Sequence, residues 1–142
     1  MGFEIVDGIS MADIALRIYE KNLTDLFTSS ANAVMSVMIE NWVSISRNVE
    51  KKFKLKNIEL DILLFEYLQE FIFYKDSESL FLLPDDITIK RISNSYILKG
   101  KACGEMINKK KHIVKIDVKA ITMHQLMVKK KDNWIATVVL DV

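Results

Sequence analysis

The acid groups at the end of the sequence are the ones best suited to carry chemistry. An apolar run over residues 134–140 is followed by Asp141 and by Val142, whose α-carboxylate is a second acid group. Chain ends are usually polar and poorly ordered, so this run predicts a terminus that is built into a strand. Two fixed carboxylates about 4 Å apart repel each other by roughly 4 kcal/mol at an effective dielectric near 20. A cation, a proton or a basic partner is therefore expected beside them.

Asp13 is a further acidic candidate, because it opens an otherwise apolar segment. It is either an aspartate that caps a turn or faces water, or a metal ligand or acid–base group. Hard oxygen donors suit Ca²⁺, Mg²⁺ or Mn²⁺, and Ca²⁺ accepts roughly six to eight oxygens in loose geometry. Asp13, Asp141, the carboxylate of Val142 and a carbonyl would make an open site for such an ion. Whether these groups meet depends on the fold.

Three basic side chains are weighed against the same acidic groups. Lys119 is either a solvated strand lysine or a cation directed at an anionic site. His124 is either a ligand or proton carrier, or a hydrogen-bonded structural histidine. His112 follows three lysines and is predicted to lie at the surface. With two histidines and one cysteine in the chain, a zinc site built from His and Cys is not expected.

Two lysine runs, at residues 109–111 and 129–131, fall at predicted turns. Lysines in such places commonly discourage edge-to-edge pairing of strands. The alternative is contact with RNA phosphates or with an acidic patch on a partner. Neither run is interleaved with aromatic residues, so a stacking platform for single strands is not indicated. The sequence also contains no glycine-rich phosphate loop, no Gly-x-Ser-x-Gly motif and no Cys/His dyad.

Composition limits the class of protein. The 142 residues predict one domain spanning 1–142, and 50% hydrophobic with 27% charged residues excludes disorder. A net charge of +1 gives no global attraction for nucleic acid or membranes. The single cysteine, and the absence of a signal peptide or a membrane-length apolar run, predict a cytoplasmic protein that binds neither membrane nor DNA.

Hydrophobic periodicity predicts the elements that must position these groups. Alternation predicts short strands near the N-terminus, and a period of about 3.6 residues predicts two helices, the first capped by Asn22 and running to about Trp42. Later alternating segments predict an antiparallel meander. Helices grouped early and strands grouped late indicate an α+β fold, with two helices packed on antiparallel β-sheet. The other predicted elements are strands at Phe3–Val6, Ala12–Tyr19 and 51–56, a turn at 7–10, a helix from Leu60 to about 74–77, and strands at Asp86–Ile92, Ser95–Met106, Ile113–Ile121, Gln125–Lys130 and Trp134–Asp141.

Three motifs make the sequence resemble the archease family over nearly its whole length. Residues 11–16 (MADIAL) match the second half of the family's first motif, residues 119–126 (KAITMHQL) its middle motif, and residues 138–142 (VVLDV) its ending. Gly104-Glu105 also fits the family pattern. The chain departs from that pattern at Ser10-Met11, where the family has His-Thr. It departs again at Met123, which replaces an aromatic residue, and at Asp7, which lies two residues farther from Asp13 than expected.

The resemblance implies a function that composition does not reveal. Archease-like proteins are accessory factors, not stand-alone enzymes, of the GTP-dependent RNA-splicing ligase that joins the halves of spliced transfer RNA. They promote guanylylation of the ligase, allow multiple turnover and can broaden its nucleotide use. The resemblance therefore implies the ligase catalytic subunit as partner, with only indirect association with tRNA. It further implies a divalent ion, Ca²⁺ or alternatively Mg²⁺ or Mn²⁺, at Asp13, Asp141 and Val142, with Lys119 and His124 as phosphate or partner contacts.

Two other classes of function stay open at the level of sequence. One is a general protein chaperone or interaction module that binds clients through an exposed sheet edge or the acidic side of the second helix, with incidental metal binding. The other is a metal-dependent hydrolase that uses the same carboxylates. The hydrolase is disfavoured because no separate base or nucleophile is evident beyond His124.

Overall fold

The computed structural model describes residues 1–6 and 12–142, and the predicted turn at residues 7–10 lies outside them. The described residues form two α-helices packed against two antiparallel sheets, which confirms the predicted α+β class. One sheet has the strand order β1-β2-β7-β6 and the other has the order β3-β5-β4. The elements are β1 (Gly2–Val6), β2 (Asp13–Glu20), α1 (Leu23–Met38), β3 (Val49–Asn57), α2 (Leu60–Glu78), β4 (Leu80–Ile92), β5 (Ser95–Met106), β6 (Ala120–Lys130) and β7 (Trp134–Asp141), with a short 3-10 turn at Trp42–Ser44.

Helix α1 begins where the sequence predicted and ends earlier. The side chain of Asn22 accepts a hydrogen bond from the amide of Asp25 at 2.8 Å, as an N-cap should. The prediction that the helix runs to about Trp42 is wrong, because it ends at Met38. Ile39 adopts extended geometry and pairs as an isolated bridge with Val114, a contact that no local pattern reveals.

Strands β4 and β6 differ by several residues from their predicted bounds, for separate reasons. Strand β4 starts at Leu80 rather than Asp86, because residues 80–84 are buried on both faces and show no alternation. Residues 120–130 form the single strand β6, where the sequence predicted the end of one strand and the start of the next. Gln125 takes a left-handed conformation (φ 53°) within a register shift between Thr122 and Met127. An irregularity of this kind interrupts the alternation but leaves the strand continuous.

The predicted strand Ile113–Ile121 is wrong over residues 113–119, which run as an irregular connection. The carbonyl of Ile113 accepts from the amide of Glu40 at 2.9 Å, and the amide of Lys115 donates to Met38 at 2.8 Å. The connection thus lies along the C-terminal end of α1 and carries the chain from one sheet to the other. The predicted meander is consequently divided, with β4 and β5 in the three-stranded sheet and β6 and β7 in the four-stranded sheet.

Strand β7, the last in the sequence, lies inside its sheet between β2 and β6. Leu16 and Ile18 of β2 are fully buried with Val138 and Leu140 of β7, so these residues mark the core face. Side chains alternate between faces along a strand. The odd-numbered residues of both strands, including the aspartates at their paired ends, therefore lie on the opposite face.

Candidate metal centre

The structure brings together the acidic residues that the sequence left far apart. Asp13 is the first residue of β2 and Asp141 the last of β7, and the antiparallel register places them directly opposite each other. The next pair outward is Ala12 and Val142, where the amide of Val142 donates to the carbonyl of Ala12 at 2.9 Å. The ladder therefore holds the last residue of the sequence beside both aspartates.

The type of pairing brings the two aspartate side chains close together. Hydrogen-bonded and non-hydrogen-bonded pairs alternate along an antiparallel ladder, and the Ala12–Val142 pair is hydrogen-bonded. Asp13 and Asp141 therefore form a non-hydrogen-bonded pair, the kind with Cα atoms about 4.5 Å apart. Opposite residues share a face of the sheet, and like charges placed in this way are destabilising. A cation, a proton or a basic partner would compensate such a pair.

The donor set fits a hard cation. Asp13, Asp141 and Val142 are all half-buried, so they are accessible yet fixed by the ladder. Over residues 1–6 and 12–142, no group of three or more Asp, Glu, His or Cys side chains is placed to hold a metal ion. Within those residues, the acid group beside the two aspartates is the α-carboxylate of Val142. Oxygen donors alone suit Ca²⁺, Mg²⁺ or Mn²⁺ rather than zinc.

Lys119 and His124 stand in different relations to this pair. The amide of Lys119, one residue before β6, donates to the carbonyl of Asp141 at 2.8 Å, and its side chain is exposed. The register places Ala120, not His124, opposite Asp141. His124 is exposed within the β6 irregularity, where its amide donates to the Thr122 hydroxyl at 3.2 Å. The backbone of Lys119 is therefore hydrogen-bonded to Asp141, whereas the register places His124 away from that residue.

The prediction that His112 lies at the surface is wrong. Its side chain is fully buried, and its ring packs edge-on against Phe81 with centroids 5.2 Å apart. The amide of Asn108 donates to Nδ1 at 2.9 Å, so Nδ1 carries no proton. The proton is therefore on Nε2, which donates to Glu105 Oε2 at 3.1 Å. The three preceding lysines suggested solvent, but the partners of His112 fix its burial.

Glu105 is the centre of a polar cluster that sequence reasoning missed. Burial by itself would raise the pKa of Glu105, but hydrogen bonds from Lys111, from the Ser46 amide and from His112 outweigh burial and lower the pKa to about 2. The Lys111 ammonium lies 2.7 Å from Oε2 and the Ser46 amide 2.8 Å. A concavity of about 620 Å³ lies beside Glu105, lined also by Asn48, Val49 and residues 106–110. The cluster anchors the start of the irregular connection and is separate from the paired aspartates.

Fold and site together define a class: a small α+β protein that presents paired carboxylates at the ends of neighbouring strands. Residues 3–142 match the sequence model of the Archease protein family, so the chain belongs to that family. It is 33% identical to protein archease of Thermococcus kodakarensis over 132 residues, covering 92% of each chain. It is also 33% identical to protein archease of Sulfolobus acidocaldarius over 141 residues, covering 99% of this chain and 98% of the relative.

A solved structure agrees with this assignment. The solution structure of protein 1598 from Methanobacterium thermoautotrophicum superposes with a TM-score of 0.84 at 27% identity, covering 99% of both chains. Membership of the archease family supports an accessory role for an RNA-processing ligase. Neither of the helices described here is long and apolar enough to cross a membrane.

Proposed function

We propose that this chain activates the RNA-splicing ligase by presenting a divalent ion held by Asp13, Asp141 and the α-carboxylate of Val142. In this role it promotes guanylylation and multiple turnover of the ligase and alters its nucleotide specificity. The observation that carries the proposal is the direct cross-strand pairing of Asp13 with Asp141 beside Val142. The family assignment supports the accessory role on independent grounds.

The proposed resting ion is Ca²⁺, with Mg²⁺ and Mn²⁺ as alternatives. An open, oxygen-only set on a sheet surface suits Ca²⁺, which tolerates loose geometry better than Mg²⁺ does. When bound, such an ion supplies a dense positive charge. The chain's own contribution is to fix the donors, because hydrogen bonds from Val142 to Ala12 and from Lys119 to Asp141 hold the end of β7 on both sides. The exposed side chains of Lys119 and His124 are proposed contacts for a phosphate or for the ligase.

Removing either aspartate charge is expected to abolish stimulation of the ligase. Asp13→Asn and Asp141→Asn keep side-chain volume and the β2–β7 ladder but remove an anionic oxygen donor. Divalent-ion affinity should fall by about tenfold or more, since loss of an outer-shell partner already has that effect. The measurement is single-turnover guanylylation of the cognate ligase with and without this protein. Calorimetric metal titration and circular dichroism report binding and folding.

The matched control is Asp132→Asn, which changes an exposed aspartate in the β6–β7 turn. This variant should stimulate the ligase like the wild type. Full stimulation by both site variants, with the ligase shown to depend on added wild-type protein, would contradict the proposal.

A single residue added after Val142 is expected to weaken metal binding even though Asp141 is intact. The extension moves the α-carboxylate away from the aspartates while leaving every side chain in place. Divalent-ion affinity is measured by calorimetry on the wild type, on a chain extended by one glycine and on one extended by one aspartate. Equal affinity for the wild type and the glycine extension would show that the α-carboxylate is not a ligand.

A general chaperone or interaction module is the second candidate, favoured by one observation. Three large apolar side chains of the irregular connection, Ile113, Val114 and Ile116, are 54%, 46% and 43% exposed. Such a role predicts that the protein suppresses aggregation of unrelated clients and that Asp141→Asn does so equally well. Activation of the ligase instead predicts strict dependence on Asp141 and no effect on unrelated clients.

A further inference from the structure

The three-stranded sheet has an open face whose charge is unlike that of the chain as a whole. Phe53 and Leu55 of β3 pack on the core face, while the alternate residues of the same strand are exposed. Over 142 residues the net charge is only +1. On the open face, however, lysines predominate across all three strands. They are Lys52, Lys54 and Lys56 on β3, Lys99 and Lys101 on β5, and Lys90 on β4.

The register sets these lysines against one another. Lys52 lies directly opposite Lys101, and Lys54 directly opposite Lys99. Like charges in this position destabilise a sheet. Lys101 is compensated by Glu50 at 3.0 Å and by Asp85 at 3.8 Å. The other five lysines of this face form no ion pair with any residue in the described ranges. They are Lys52, Lys54, Lys56, Lys90 and Lys99.

Protection of sheet edges does not account for this arrangement. Lysines on β3 and β4 blunt the two edges of the sheet, as edge lysines commonly do. Lys99, however, lies on the central strand β5, where there is no edge to protect. Together with Lys54 and Lys90 it surrounds a concavity of about 240 Å³ that Thr88, Ile92 and Ile97 also line. Three lysine side chains that line one concavity can bind anionic oxygens.

We infer that this open lysine face binds the phosphate backbone of an RNA strand. Lysine recognises phosphate as a point charge. The cores of protein–protein interfaces, by contrast, are depleted in lysine and enriched in arginine and aromatic residues. Phe53 and Tyr96 belong to the other face, and Phe81 of β4 is buried against His112, so bases find no stacking platform. Recognition is therefore of phosphates, independent of sequence and sensitive to salt. The choice of RNA among polyanions rests on the proposed function.

The test is fluorescence anisotropy of a labelled 20-nucleotide oligo(U), with the protein alone and EDTA present. EDTA removes any ion at Asp13 and Asp141, so failure of the metal proposal leaves this measurement unaffected. The variant Lys54→Glu/Lys90→Glu/Lys99→Glu should bind at least about tenfold more weakly. Because each single-strand phosphate contact contributes about −0.7 to the slope of log affinity against log salt, the slope should fall by about two.

The control variant Lys21→Glu/Lys110→Glu/Lys131→Glu changes the net charge equally at exposed lysines elsewhere, two of them in the lysine runs at turns. It should retain wild-type affinity within about twofold and leave the salt slope unchanged. Absence of salt-dependent RNA binding by the wild type, or equal loss in both triple variants, overturns the inference. So does tighter binding of polyglutamate or of phosphatidylserine vesicles than of RNA.

A single substitution separates ligand binding from stability. Lys99→Glu places a carboxylate opposite Lys54 and converts a repulsive pair into an attractive one. The thermal midpoint should rise while RNA affinity falls. Unchanged RNA affinity in this variant would show that the lysine pair has no part in binding RNA and would overturn the inference.

Discussion

Glu105→Ala is expected to lower the free energy of unfolding by about 3 kcal/mol, because it breaks a buried charged cluster. The substitution leaves the ring of His112, the amide of Ser46 and the ammonium of Lys111 without their common acceptor. His112 cannot turn to water, since its side chain is fully buried. Urea unfolding followed by circular dichroism measures the change. Glu105→Gln, which keeps an acceptor oxygen, should be intermediate.

The control is Glu50→Ala on the same sheet. Glu50 binds Lys101 at 3.0 Å, but its side chain is 43% exposed. Exposed pairs contribute about 0–1 kcal/mol, so this change should be small. Similar losses from Glu50→Ala and Glu105→Ala would contradict the assignment of Glu105 as the centre of a buried cluster.

The same cluster makes stability depend on pH in a definite direction. The folded-state pKa of Glu105, about 2, lies below its ordinary value of 4.5. Its contribution is therefore fully present above pH 4.5 and is lost as the pH falls from there through about 2. Because Lys111 is partly exposed and screened, the contribution lost is about 2 kcal/mol. The difference in unfolding free energy between wild type and Glu105→Gln should accordingly shrink between pH 6 and pH 3.

Gly104→Ala is expected to be at least as damaging, with a loss of about 3 kcal/mol or more. A Cβ at Gly104 would overlap the carbonyl oxygen of Phe81 and lie 2.7 Å from its carbonyl carbon and 2.8 Å from Leu82 Cα. These are backbone atoms of β4, so no side-chain rotation relieves the overlap. Strands β4 and β5 must separate instead. Urea unfolding, or limited proteolysis if the variant is too unstable to titrate, measures the loss.

Gly100→Ala is the matched comparison on the same strand. There the nearest atom to an added Cβ is the flexible end of Ile87, at 2.6 Å, although the Asp86 carbonyl is also close at 2.8 Å. The loss should be clearly smaller than at Gly104. A Gly104→Ala variant as stable as Gly100→Ala would refute the claim that close backbone approach requires glycine at that position.

Where local pattern and tertiary structure agree, the elements could be predicted from sequence. Strands β5 and β7 have their predicted bounds, because alternating residues end at polar turns. The prediction failed where a distant partner decides the conformation. The bridge between Ile39 and Val114 ends α1 early, and the contacts of residues 113–119 with α1 replace a strand. The start of β4 was also missed, because residues 80–84 are buried on both faces and show no alternation.

The candidate site was also only partly predictable from the sequence. The chemistry of Asp13, Asp141 and Val142 could be predicted from residue types, as an oxygen-only set at the end of an apolar run. Their proximity could not, because the pairing of β2 with β7 is a tertiary choice. For His112 the local sequence was misleading, since its partners Glu105 and Phe81 lie elsewhere in the chain. Prediction of that burial would have required the pairing of β4 with β5.

The interior position of β7 has a consequence for how the protein is made on the ribosome. Residues 49–106 contain the whole three-stranded sheet, so all three of its strands are translated before β7. Strand β2 must instead wait for its inner neighbour β7, which follows every other described strand in the sequence. Domains generally fold as units. The pairing of Asp13 with Asp141 therefore forms only after β7 has been translated, and a truncated product that lacks β7 exposes the open edges of both β2 and β6.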